Sequence, residues 1–166
     1  MSKTDKSKHG LCIAAIRRNT VKPYDFKWTK FYKANSDFSY SGIQLELEEN
    51  ELLICSTIID SENYSILTTQ RLITKENGIK SIGNLDGVSK KSYGNIKGFG
   101  NIDLTFGLVR LENGADLKYF IETREASMVM VYGIKMLIEI TSLTDKNVEN
   151  LTRVWNRQSD KFQLGD

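Results

Sequence analysis

The sequence predicts an α+β, mainly β fold: a seven-stranded antiparallel bent sandwich or barrel capped by a long C-terminal helix, with a second short helix and an N-terminal arm. Three observations carry that reading. Apolar and polar residues alternate through most of residues 41–122, the period of half-buried strands. Asn77-Gly78 and Asn113-Gly114 punctuate the alternation with dipeptides that readily take the positive torsions of a tight hairpin. From Thr123 the apolar spacing becomes helical, so a run of strands is followed by a helix that can cover their core.

Residues 1–10 are polar and charged and read as a disordered leader. In residues 11–33, Tyr24, Phe26 and Trp28 alternate like a strand, while Trp28, Phe31 and Tyr32 share a helical face. A helix is the expectation there, with Asp25 as a possible cap. Ile43, Leu45 and Leu47 alternate with Gln44, Glu46 and Glu48 and predict the first strand. Residues 52–59 predict the second, apolar on nearly both faces. After the turn at Ser61-Glu62-Asn63, residues 64–73 read as one long alternating strand that ends in the Asn77-Gly78 hairpin. A shorter strand covers 79–85, and 88–96 reads as strand or loop.

Gly94, Gly98 and Gly100 make that last stretch the most flexible of the region. Residues 102–108 and 117–121 supply the last two strands. Thr123 is the expected N-cap of the long helix, whose apolar face includes Val129, Met130, Gly133 and Leu137. Thr144-Asp145 starts the second helix, with Val148, Leu151 and Trp155 as its stripe. The domain reading is therefore a basic, partly disordered arm at 1–33, the β domain at 34–143 and a helical extension with a tail at 144–166.

Composition narrows the class. With 166 residues, 40% hydrophobic and 27% charged, the chain can bury a sizeable core as one soluble domain. A net charge of +2 argues for no particular partner, but its distribution is polarised. Residues 1–33 hold nine Lys/Arg against two Asp/Glu, residues 34–74 hold one against seven, and residues 75–100 hold five against two. Cys12 and Cys55 make no disulfide framework and fit a reducing compartment. Leu11-Cys-Ile-Ala-Ala-Ile16 is too short for a signal-peptide core and is followed by Arg17-Arg18. No stretch is long enough to span a bilayer, and the expected location is the cytoplasm.

The segment Tyr64-Ser-Ile-Leu-Thr-Thr-Gln-Arg-Leu-Ile-Thr-Lys75 with Asn77-Gly78, followed by an apolar helix over 123–142, resembles the bacterial branch of the pleckstrin-homology-like superfamily. The resemblance covers roughly residues 41–142. It implies a bent sandwich plugged by a helix, with Met128, Met130 and Met136 filling the irregular gap. Domains of that superfamily often hold phosphoinositides with basic residues at the first hairpin. Here that hairpin is Leu47-Glu48-Glu49-Asn50-Glu51, which is acidic and argues against that ligand.

No catalytic constellation stands out. His9 is the only histidine and has no evident nucleophile or metal beside it, so neither a catalytic residue, a metal nor a cofactor is expected. Glu46, Glu48, Glu49, Glu51 and Glu62 form the expected acidic patch, a solvated face or a surface for a basic protein partner. Lys90, Lys91 and Lys97 around the glycine-rich loop, with Arg17 and Arg18 of the arm, are the alternative anion-binding set. The arm also interleaves bases with aromatics, a pattern that serves packing or stacking of nucleic-acid bases.

The leading expectation is a non-catalytic cytoplasmic module that binds a protein, for example an immunity protein that neutralises a basic toxin domain. The alternative is an adaptor on an anionic membrane surface or a nucleic acid. The third is a small enzyme of unknown reaction.

Overall fold

The computed structural model describes residues 3–142. Among them, eight strands form two antiparallel sheets, accompanied by two α-helices. The sheets do not close into a barrel.

Helix α1 (Asp5–Asn19) begins inside the segment expected to be a disordered leader. Thr4 caps it, its Oγ1 accepting the Ser7 N–H at 3.1 Å. Asp5 in the first turn and Arg17 and Arg18 in the last turn match the helix dipole. Leu11, Cys12, Ala15 and Ile16 form its buried face. His9 Nε2 lies 2.8 Å from the Tyr32 carbonyl, and Gln70 Nε2 donates to Asp5 Oδ2 at 3.3 Å. The first two turns are thus fastened to the domain by polar contacts, which hydrophobic periodicity does not register.

Strand β1 (Thr29–Phe31) takes the place of the helix expected around Trp28 and pairs with β2 (Leu53–Asp60). The five-stranded sheet continues through β3 (Asn63–Thr68), β4 (Leu72–Glu76) and β5 (Ile79–Gly83), each antiparallel to the one before. The predicted long strand over 64–73 is broken in two. Thr68 Oγ1 accepts the N–H groups of Gln70 and Arg71, both at 3.1 Å, so a side-chain turn competes with the ladder. The Asn77-Gly78 hairpin forms as predicted, with φ of 50° and 81° at its two residues.

The strand expected over residues 43–47 does not form. Ile43 is buried, and Leu45 and Leu47 are partly buried against Tyr32, Ile58 and Ile66 on the outer face of the five-stranded sheet. Their alternation records burial; the ladder edge beside β2 belongs to β1.

Strands β6 (Lys90–Tyr93), β7 (Leu104–Arg110) and β8 (Asp116–Glu122) form the second sheet. Strand β8 leans on the first sheet, where the Phe120 N–H donates to Ser65 Oγ at 2.8 Å. The main core lies between both sheets, α1 and α2 (Ser127–Ser142). A β-bulge between Leu53 and Cys55 turns Ile54 and Cys55 both into that core. Gly133 of α2 lets the helix approach closely, since a Cβ there would stand 3.0 Å from Cys55 Sγ and 3.4 Å from Ile16 Cδ1.

Thr123 does not cap α2 with its side chain. A 3₁₀ turn (Arg124–Ala126) intervenes, and the Thr123 hydroxyl donates to the Ile102 carbonyl at 2.7 Å. The second helix found is α1; the one expected from Thr144 lies outside the described residues.

Candidate functional site

The predicted acidic patch divides into three environments. Glu46, Glu48 and Glu49 are exposed on the segment that leads into β2. Glu51 is not on the surface: its side chain has 0% exposure, against 22% for its partner Arg71. Arg71 Nε donates to Glu51 Oε2 at 2.9 Å, and Nη2 to Oε1 at 3.2 Å. The Thr68 hydroxyl and the Glu48 N–H also donate to the same carboxylate. Burial pushes this carboxyl up, but the bonds from Arg71, Thr68 and Glu48 and the Arg71 charge outweigh it and hold it below its ordinary value. Arg71 Nη2 donates further to the Glu46 carbonyl at 2.7 Å, so the clasp also fixes the backbone of the acidic segment.

Glu62 is exposed in the β2–β3 turn, where it stands 3.5 Å from Lys75 Nζ. The length of β2 separates it from Glu51, at roughly 3.3 Å per residue. The structure therefore leaves Glu46, Glu48 and Glu49 as the acidic surface, removes Glu51 from it by burial, and pairs the exposed Glu62 with Lys75.

The basic arm is packed. Phe26 and Phe31 rest on the main core, and Tyr24 meets Phe31 edge-on with centroids 4.9 Å apart. The Glu122 carboxylate accepts the N–H groups of Lys27 at 3.1 Å and Trp28 at 2.9 Å and pins the arm to β8. Lys22, Lys27, Lys30 and Lys33 remain exposed. Lys27 Nζ stands 4.4 Å from the centre of the Trp28 ring. A cleft of about 260 Å³ opens beside β1, with Lys27, Trp28 and Lys30 on one side and Ser39 and Tyr40 among its other walls. A second hollow of about 370 Å³ lies alongside and shares Lys30, Tyr32 and Asp37 with it.

The alternative cationic set does not converge. Lys90 and Lys91 are successive residues of β6, so their side chains leave opposite faces of the sheet. Lys97 is exposed on the glycine-rich loop, and Arg17 and Arg18 lie in the last turn of α1. That loop is also well tied. The Arg124 N–H donates to the Ile96 carbonyl at 2.6 Å, the Thr123 N–H to the Asp103 carbonyl at 3.0 Å, and Asn95 Oδ1 accepts the Phe99 N–H at 3.1 Å.

Two features escaped the sequence reading. Arg71 is the one base among residues 34–74, where seven acids surround it, a signal that it pairs with one of them. The cleft gathers Lys30, Tyr40 and Ser56 from separate segments, so no local pattern could mark it. Among the described residues no helix is long and apolar enough to cross a membrane, and no group of three or more His, Cys, Asp or Glu is placed to hold a metal ion. The chain matches no protein-family model, no curated protein and no solved structure.

Proposed function

We propose that this chain is a non-catalytic cytoplasmic binding module that meets a basic protein partner through Glu46, Glu48 and Glu49. The observation that supports this reading is the buried Arg71–Glu51 clasp, which fixes the segment carrying the three exposed carboxylates. A pre-set charged segment loses less conformational freedom on binding than a free loop does. Neutralisation of a basic toxin domain, the role of an immunity protein, is one form of this reading. Kinship with the pleckstrin-homology-like superfamily draws support from the paired antiparallel sheets and from α2 following the last strand.

The test is affinity purification from the native cell, with the recovered partner then titrated against the wild-type chain and two variants. Glu46→Lys/Glu48→Lys/Glu49→Lys is expected to abolish binding, and Glu62→Lys to leave it intact. A partner that binds the triple variant unchanged overturns the proposal.

A second reading is an adaptor on an anionic membrane surface or a nucleic acid. The outward lysines of the arm favour it, since the arm's aromatics are packed and its cations are presented to solvent. Such binding weakens steeply with salt.

A further inference from the structure

We propose that the cleft beside β1 binds a nucleotide unit, a flat base joined to a phosphate. Four chemical features converge there. Lys27 and Lys30 place two ammonium groups at its wall against one carboxylate, Asp37, so the cleft favours an anion. Tyr40, an exposed residue at 39%, lines the cleft with an aromatic side chain of the kind on which a base can stack. The floor is made by Tyr32 and Ser56, which are 3% and 1% exposed and whose hydroxyls lie 2.6 Å apart. Two hydroxyls carry two protons and share one hydrogen bond, so one donor remains for a ligand. Asp37 has one oxygen engaged by the Ala34 N–H at 3.2 Å and keeps acceptor capacity for a ribose hydroxyl or a base amine.

The size agrees with a small ligand, and the second hollow, which adds Tyr24 and Lys33, adjoins the first at their shared residues Lys30, Tyr32 and Asp37. The unit can therefore come from a free mononucleotide or from a single strand whose next nucleotide occupies that hollow. The cleft shares no residue with the acidic segment, so the proposal is independent of the first reading; its single-strand form rests on the nucleic-acid side of the second, and its free-nucleotide form does not.

The full chain is titrated by calorimetry with AMP, with inorganic phosphate and with a thymidine oligonucleotide. AMP or the oligonucleotide is expected to bind more tightly than phosphate. Lys30→Ala and Tyr40→Ala are each expected to weaken binding by roughly tenfold, with unchanged thermal midpoints because both side chains are exposed. Lys135→Ala on the exposed side of α2 is expected to change nothing. Tighter binding of the oligonucleotide with the same two sensitivities assigns a single strand; equal or weaker binding assigns the free nucleotide. The proposal is overturned if neither ligand binds at millimolar concentration, if phosphate binds as well as AMP, or if both variants bind like wild type.

Discussion

Arg71 holds Glu51 with two contacts, one to each carboxylate oxygen, Nε to Oε2 at 2.9 Å and Nη2 to Oε1 at 3.2 Å. The two residues flank the β2–β3 hairpin, one before β2 and one after β3, so the pair ties both ends of the hairpin together. The Thr68 and Glu48 donors complete the carboxylate's hydrogen bonding, which is the condition under which a buried ion pair is tolerated.

Arg71→Ala leaves the Glu51 charge buried without its cation. A loss of about 3 kcal/mol or more is expected from urea unfolding at neutral pH, because breaking one side of such a pair strands the other. Glu51→Gln is expected to cost less. The pH dependence follows from the lowered carboxyl: its stabilisation is present above the unfolded value of 4.5 and is lost as pH falls through the lower folded value. Unfolding curves from pH 7 down to pH 2 should show this loss in wild type and a shallower one in Glu51→Gln.

Gly107 has no room for a side chain. A Cβ there would run into the Tyr119 ring on the paired strand, and Tyr119 is itself 2% exposed. Gly107→Ala is expected to destabilise by about 3 kcal/mol, an overpacking cost, and Tyr119→Leu in the same chain should restore part of it. Thermal melts of the single and double variants measure both effects.

The two cysteines are predicted to be silent in the native state. Burial pushes Cys12 up to about 12 and raises Cys55 well above the usual thiol value. A thiol reagent should react only as fast as the protein opens. Because the folded thiols stay protonated where the unfolded ones ionise, stability is expected to fall as pH rises above 9.0. Burial raises Tyr32 and Tyr119 as well, which deepens the fall above 10.0. Cys12→Ala/Cys55→Ala should lose the thiol part of this slope.

Glu122 anchors the arm through two backbone N–H groups. Glu122→Ala removes both acceptors, so the emission of Trp28 should shift toward that of a solvated indole, read with Trp155→Phe in the background. The expected stability loss is about 1–2 kcal/mol, in line with an unsatisfied donor near the surface.

Legibility in the sequence followed the range of the signal. The Asn77-Gly78 hairpin, the two strand cores before and after it, and α2 were readable because turn chemistry and periodicity act over a few residues. Residues 43–47 misled because alternation reports which side is buried and not which neighbour supplies hydrogen bonds. The break at 69–71 turns on Thr68 and Arg71 finding Glu51 about twenty residues away, and no local window contains all three. Glu51 was read as a surface carboxylate for the same reason: charge on a sequence does not say which carboxylate has a partner waiting inside.

The seat of α1 against Gly133 and the pairing of β1 with β2 have a practical consequence. A chain shortened to start after residue 33 would not have lost an ornament. It would bare Ile54, Cys55 and the glycine face of α2 to water and leave β2 as an unguarded edge, the usual opening for self-association. Labels and fusions belong instead at the exposed Asn113-Gly114 turn, attached at Asn113, since the φ of 87° at Gly114 favours glycine.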